Sequence, residues 1–506
     1  MPLPPLTTPL RRRGLAVFVG LAMAGNVQAA DLWTITQDAL ANDASLAAAR
    51  ANFQSVEASR DVVRGGLLPQ VSLTGEISHS RDYNRDTRGV GGSPDFSSLR
   101  PEQREIAQAV AGSLASGGGQ ARQAMEDNVT AGTVGVQATQ TLYDAVNNAQ
   151  LDEAQQRIAQ QALSLTVTEQ QLLLAVSEAY LEILRANDVL SARRAQETAI
   201  ERQLEQARER FEVGLIAITD VHEAQATYGL ARAQRIAAEG ALQVSFEALE
   251  RLTGHRYDTI STLSEEAPIE GPQPVDREEW VRLALAHSPE VLMAEAGIEV
   301  ARSTVEVARA GHQPGLSAFA RYDWTDTDVS GADYDSGSVI GLSANLPLYT
   351  GGRTQAQIRQ NSFLLEASQY DFEAQRRNTV QQVRSQFTLV NNSVEAVEAR
   401  RQAIISNQSA LEATRSGYEV GTRNIVDVLN AEQNLFNAIA EHAEARYDHV
   451  LSLLRLQQQA GLLGPESIQA INAWLDDGES VSLQLPDEPN SDPVMNIGER
   501  PQAPTT

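Results

Sequence analysis

Two stretches of this chain repeat one another at a fixed distance. Ala39-Leu40-Ala41, Arg64, Gly66 and Pro69 recur as Ala284-Leu285-Ala286, Arg309, Gly311 and Pro314, each 245 positions further on. Further along, Leu142-Tyr143 recurs as Leu348-Tyr349, 206 positions on, and Phe211-Glu212-Val213-Gly214 recurs as Tyr418-Glu419-Val420-Gly421, 207 positions on. A unit of about 200 residues has been duplicated, and the first copy holds about 39 extra residues between its paired segments. Solenoid repeats have periods of only ~20–50 residues. The chain must therefore fold as two similar halves sharing one architecture.

Its 506 residues contain 21% charged and only 5% aromatic side chains, with long stretches dominated by Ala and Gln. That balance fits long packed helices better than a thick globular core. A net charge of −26 argues against nucleic acid or an anionic membrane surface as partner, since both attract basic patches. Cysteine is absent, which removes disulfides, thiol catalysis, Cys-ligated metals and the lipidated cysteine of a bacterial lipoprotein. Residues 1–30 read as a secretory signal peptide: Arg11, Arg12 and Arg13, an apolar run from Gly14 to Ala24, then Val27-Gln28-Ala29 as cleavage site. That apolar run is shorter than the ~20 residues of a spanning helix, and no other run is longer.

The first repeat is expected over 31–275 and the second over 276–475. Thr34 to Ala41 and Ala44 to Gly65 read as helices, the second stopped by Gly65-Gly66 and Pro69. The apolar period then changes from 3.6 to 2. In Val71-Ser72-Leu73-Thr74-Gly75-Glu76-Ile77-Ser78 the odd positions are apolar and the even ones polar, and Thr133 to Leu142 alternates likewise. Strands are expected over about 70–83 and 128–142. The second half keeps the phase, with strands expected over about 315–326 and 337–349. Between the first two strands, about 84–127 is a long Gly/Ser/Asp-rich loop with one short helix, Pro101 to Leu114. Each strand pair leads into long helical territory: Asn147 to Val213 without Gly or Pro, and Arg353 to Val420 with one Gly at 417. At 1.5 Å per residue each would span about 100 Å. Gly214 and Gly421 end them as C′ residues, and returning helices follow, giving helical hairpins over about 147–253 and 353–461. Residues 254–275 read as a connector and 476–506 as an acidic, Pro-rich, disordered tail.

Four strands with one lipid-compatible face cannot close a barrel, whose minimum is ~8 strands, and an open edge in lipid is not viable. Three copies would supply twelve strands, an allowed even number, with their helices continuing as a coiled cylinder. From the alternation alone, a hairpin domain on a coiled-coil stalk, acting as a structural or adhesive surface trimer, fits equally well.

Specific segments bear on that choice. Gly341-Leu342-Ser343 with Pro347-Leu348-Tyr349-Thr350-Gly351-Gly352, and Gly417-Tyr418-Glu419-Val420-Gly421-Thr422-Arg423-Asn424-Ile425-Val426-Asp427-Val428-Leu429-Asn430-Ala431, resemble the TolC family of outer-membrane efflux and secretion proteins. So do Arg210-Phe211-Glu212-Val213-Gly214-Leu215-Ile216-Ala217-Ile218-Thr219-Asp220-Val221, Leu67-Leu68-Pro69-Gln70-Val71 and Arg251-Leu252-Thr253-Gly254. The likeness covers nearly the whole chain outside the signal, the long first loop and the tail, and is nearest to the type I secretion members. It implies an α+β membrane protein: a homotrimer with a twelve-stranded transmembrane β-barrel, a long α-helical barrel crossing the periplasm, and an equatorial domain of short helices and strands. It also implies an exit duct in the outer membrane, joined through a periplasmic membrane-fusion adaptor to an inner-membrane ABC or RND transporter, for type I protein secretion or multidrug efflux. Such a chain is not an enzyme and carries no cofactor.

The resemblance assigns roles at the two helix turns. The family closes the periplasmic end of its tunnel with links between helix pairs, and the matching positions are Thr219, Asp220, Tyr418 and Arg423. Arg423 can donate a forked hydrogen bond to the Asp220 carboxylate, and the Tyr418 hydroxyl can add another. The bland alternative is cap chemistry, for which Thr219 and Asp220 are typical residues. The family also lines this entrance with two acidic rings, at positions matching Asp427 and Asn430. Here Asn430 is neutral, so one carboxylate ring is expected, favouring cations less strongly. His442 and His449 are seven apart, but no carboxylate–histidine pattern surrounds them, so neither a metal site nor a catalytic residue is expected.

Overall fold

A computed structural model describes residues 29–81, 104, 128–264, 266–327 and 335–482. The signal peptide to residue 28, nearly all of the long first loop with its expected short helix, and residues 483–506 lie outside the described residues. In chain order the elements are α1 (Leu32–Asn42), α2 (Ala44–Gly65), β1 (Gln70–Arg81), β2 (Asn128–Asp144), α3 (Ala145–Glu212), α4 (Ile218–Thr253), β3 (Thr259–Leu263), α5 (Arg277–His287), α6 (Pro289–Ala310), β4 (Gly315–Thr327), β5 (Asp335–Asn345), α7 (Arg353–Glu419), α8 (Ile425–Gln459), α9 (Pro465–Asn472) and β6 (Leu475–Ser482). They divide into two compact units. Of the described residues, one holds those within Ala47–Thr168 and Leu285–Gln381; the other holds those up to Leu46, within Glu169–Ala284 and from Gln382 on.

The first unit carries a four-stranded antiparallel sheet in the order β1-β2-β4-β5. Its register sorts the side chains by face, because the pleat has a period of two. One row runs Val71, Ala138, Ala320, Ile340, and Leu73, Val136 and Tyr322 line up two residues away on the same face. The intervening rows put Glu76, Thr133, Thr325 and Asp335, and Thr74 and Asp323, on the opposite face. The polar face is internally bonded: Arg321 Nε lies 2.7 Å from Asp323 Oδ2, and the Thr133 and Thr325 hydroxyls are 3.2 Å apart. Gly135 makes room for that ion pair, since a Cβ there would sit 2.5 Å from Asp323 Oδ1. The apolar face is bare, with Val71, Leu73, Ile77, Ile340 and Leu342 all exposed. The two hairpins also pair alike: Val71 faces Ala138 and Leu316 faces Ala344, related by the sequence offsets of 245 and 206.

Beside the sheet, α6 is bonded to both long helices. Thr304 Oγ1 donates to Glu153 Oε1 of α3 at 3.0 Å, while Asn361 and Gln375 of α7 donate to Thr304 O at 3.3 Å and Glu290 Oε2 at 2.9 Å. Asp144 starts α3 by accepting from the amides of Val146 and Asn147 at 2.9 and 3.1 Å, which satisfies two orphan donors of a helix start.

In the second unit the remainder of α3 runs with α4, and that of α7 with α8. Its core includes Val176, Tyr180, Leu181, Ile183 and Leu184 of α3 with Val450, Leu454 and Leu456 of α8. The Tyr180 hydroxyl donates to Ser261 O of β3 at 2.6 Å. The strand β3 pairs antiparallel with β6. The connector 254–275 thus holds a strand. One expectation is corrected: residues 476–482 belong to β6 rather than to a disordered tail. The reason is burial: Val481 and its partner Ile260 are both enclosed, so a segment polar in composition is held by two apolar anchors and a ladder of backbone hydrogen bonds. The strand expected to reach 349 ends at Asn345, ahead of Pro347, which has no N–H to offer a ladder.

Candidate functional site

The matched residues sit at the two turns α3–α4 and α7–α8, within the second unit. Both turns close the same way. Gly214 has φ +76° and Gly421 φ +78°, the left-handed geometry that glycine adopts without a Cβ clash. The amide of Leu215 donates to Arg210 O, and that of Thr422 to Gly417 O, both at 2.8 Å. These are the six-to-one bonds of a Schellman end. The helices that follow start differently. Ala217 gives α4 no side-chain cap. Asn424 gives α8 a full capping box: its Oδ1 accepts from the Asp427 amide at 2.8 Å, and Asp427 Oδ2 accepts from the Asn424 amide at 3.2 Å.

Beneath the turns an apolar cluster joins the two hairpins: Ile200, Leu204 and Ala207 of α3, Ala224 and Ala231 of α4, and Ile425 and Leu429 of α8. Tyr418 packs against this cluster, and the Arg210 guanidinium lies 4.9 Å from the centre of its ring, within cation–π range. At Gly417 a Cβ would sit 2.8 Å from Arg423 Cγ. The missing side chain lets the aliphatic stem of Arg423 lie on the last turn of α7.

Within a single chain the anticipated Asp220 links are not made. Asp220 accepts a hydrogen bond from Thr219 Oγ1 at 3.4 Å, and Arg423 Nη1 lies 3.9 Å from Asp427 Oδ2. Among the described residues no hydrogen bond or ion pair joins Arg423 or Tyr418 to Asp220. The two turns thus present a half-buried acidic residue and an exposed basic residue that are not paired with each other within the chain. Asp427 has two tasks already, as cap and as neighbour of Arg423. Asn430 lies one turn further along α8 and is exposed.

One group was missed by the sequence reading. Glu432 is fully buried, and its Oε1 accepts from Arg415 Nη2 of α7 at 2.7 Å and from Gln203 Nε2 of α3 at 3.1 Å. Its Oε2 is buried without a hydrogen-bond partner. One carboxylate thus ties three helices close to the turns. The signal was present: Ile425, Leu429 and Glu432 fall at i, i+4 and i+7, which places a carboxylate on the apolar stripe.

Comparison with known proteins bears on what this arrangement serves. The sequence profile of the family described as outer membrane efflux protein matches residues 35–255 and 280–462. The outer membrane protein TolC of Vibrio cholerae is 34% identical over 473 residues, covering 91% of this chain and 98% of that protein. The alkaline protease secretion protein AprF of Pseudomonas aeruginosa is 30% identical over 319 residues, covering 62% of this chain and 66% of that protein. Among solved structures, the outer membrane protein VceC from Vibrio cholerae superposes with a TM-score of 0.63 at 20% identity, covering 85% of this chain and 96% of that one. At that identity the likeness establishes the fold.

Proposed function

The chain belongs to the outer membrane efflux protein family and resides in the outer membrane, and on that premise we propose that three copies of it form a passive exit duct for type I protein secretion or efflux. The observation that carries this reading is the sheet of β1, β2, β4 and β5. It has one bare apolar face, one polar face with its own hydrogen bonds, and two open edges. An apolar face toward lipid and a polar face toward water is the pattern of a transmembrane barrel. Open edges cannot stand in hydrocarbon, so the four strands call for further copies, and three copies supply twelve. No helix among the described residues is long and apolar enough to cross a membrane.

In this reading the turns α3–α4 and α7–α8 form the periplasmic tip. Across neighbouring chains Arg423 and Tyr418 engage Thr219 and Asp220 as a latch. Exposed ion pairs are worth only ~0–1 kcal/mol each, so a threefold set holds the tip closed yet yields to a docking adaptor. Asp427 supplies one ring of carboxylates at the constriction, beside the neutral Asn430. The energy and the choice of cargo come from an inner-membrane transporter, ABC or RND, reached through a periplasmic membrane-fusion adaptor. The test is reconstitution: protein extracted from the outer-membrane fraction in detergent should migrate as a trimer and give discrete conductance steps in planar bilayers. Water-soluble protein that gives no steps would overturn the duct and leave the stalk reading.

A further inference from the structure

The polar face of the four-stranded sheet is not polar throughout. Among the side chains described in its paired rows, Phe319 and Val339 are the only large apolar ones. The register makes them neighbours. Phe319 of β4 lies opposite Gly341 of β5, and Val339 is two residues along β5 from that glycine, opposite Arg321. Side chains on that diagonal are within reach of an aromatic ring. Gly341 seats the ring, since a Cβ there would lie 2.8 Å from Phe319 Cζ. The carboxylate of the same strand goes the other way. Asp323, which holds Arg321, leans over Gly135 of β2, where a Cβ would lie 2.5 Å from its Oδ1. Two glycines on opposite flanks of β4 thus sort its side chains, the ring toward β5 and the carboxylate toward β2. Between Ser343 and Asp335, β5 shows on this face only Gly341, Val339 and Gly337. The result is an apolar lane in which Val339 is 53% exposed.

The fold does not call for this lane. Barrel interiors are polar, and the side chains suited to lipid lie on the opposite face. A ring laid on a glycine steadies an edge strand, but that role needs no exposed valine beside it. Resting on the duct reading above, we propose that the Phe319–Val339 lane is a binding site for apolar and aromatic side chains of an unfolded polypeptide in transit. Three copies place three such lanes around one lumen. Shape argues for a polymer over a small solute. Small-molecule sites are concave and bury about 70–90% of their ligand, whereas β5 is exposed along nearly its whole length. A surface this open holds one side chain at a time, and weakly. A chain that presents several side chains to three lanes turns weak contacts into retention. Each contact still breaks singly, so the chain is held without being trapped.

The test uses the full-length protein reconstituted in planar bilayers. The probe is a flexible Gly/Ser peptide with phenylalanine at regular intervals, set against the same peptide with alanine in its place. In the parent the phenylalanine peptide should block the current for longer. Phe319→Thr combined with Val339→Thr should shorten those blocks about tenfold, toward the times of the alanine peptide. Val339→Thr alone exchanges one methyl for a hydroxyl at an exposed strand position, so it should fold as the parent does and shorten the blocks about threefold. Equal block times in the parent and both variants overturn the binding site and leave the ring as a filler over Gly341. Block of the parent by N-acetylphenylalaninamide, with the same dependence on Phe319 and Val339, overturns the polypeptide assignment in favour of small solutes. A parent protein that gives no conductance steps overturns the duct reading itself.

Discussion

Replacing Arg415 by alanine should loosen the paired turns without unfolding the chain. The carboxylate of Glu432 is fully buried, and Arg415 is its only cationic partner among the described residues. Gln203 would remain as the sole donor to Oε1, and Oε2 already lacks one. Breaking a buried pair from one side costs ~3–5 kcal/mol, and because the Arg415 side chain is 46% exposed and partly screened, about 2 kcal/mol is expected here. A local loss of that size raises the opened population roughly thirty-fold. Hydrogen exchange should report it as faster exchange across the end of α7 and the start of α8, with β3 and β6 unchanged. Adding Glu432→Gln to Arg415→Ala removes the stranded charge and keeps a partner for Gln203, so it should restore most of the protection. Protection in Arg415→Ala within threefold of the parent, or a double variant as loose as the single, would refute the assignment of this carboxylate as a charged tie.

The proposed latch predicts that Arg423→Ser combined with Tyr418→Phe raises single-channel conductance in bilayers severalfold; unchanged conductance removes the latch. The proposed ring predicts that Asn430→Asp tightens block by multivalent cations about tenfold, and an unaltered block would show that α8 does not line the constriction. Burial depresses the affinity of His449 for a proton below the usual histidine range, with Ser393 Oγ of α7 2.8 Å from its Nδ1. Its contribution is therefore full above about pH 6.5 and lost as pH falls toward the folded-state value. The unfolding temperature in detergent should drop between pH 7 and pH 5, and His449→Gln should flatten that slope.

The long helices were legible because their punctuation is local. Gly214 and Gly421 stop them, Asp144 starts one of them, and no proline interrupts either. The hairpins were legible because alternation reports one bare face and one wet face. What escaped was long in range. The strand β3 is five residues long and finds its partner more than two hundred residues away in β6, and nothing in either segment names the other. The compact units escaped for a similar reason. Each takes segments from both halves of the chain, since the long helices pass from one unit into the other while the repeat follows the chain order. At the turns, the residue types were readable but their partners were not. Arg423 faces Asp427 rather than Asp220 within the chain, and Arg210 covers Tyr418, because short contacts between helix ends depend on rotations that periodicity does not encode.

The capping box at the start of α8 has a bearing on how the proposed carboxylate ring can change over evolutionary time. Asp427 is tied into its helix by reciprocal bonds with Asn424, and losing such a cap costs about 1 kcal/mol. A substitution that removes the side-chain acceptor at this position therefore alters folding together with charge, and is judged on both. Asn430 has no such bond in the structure. If the proposed ring holds, position 430 is free to set its charge, whereas position 427 is tied to the helix it begins.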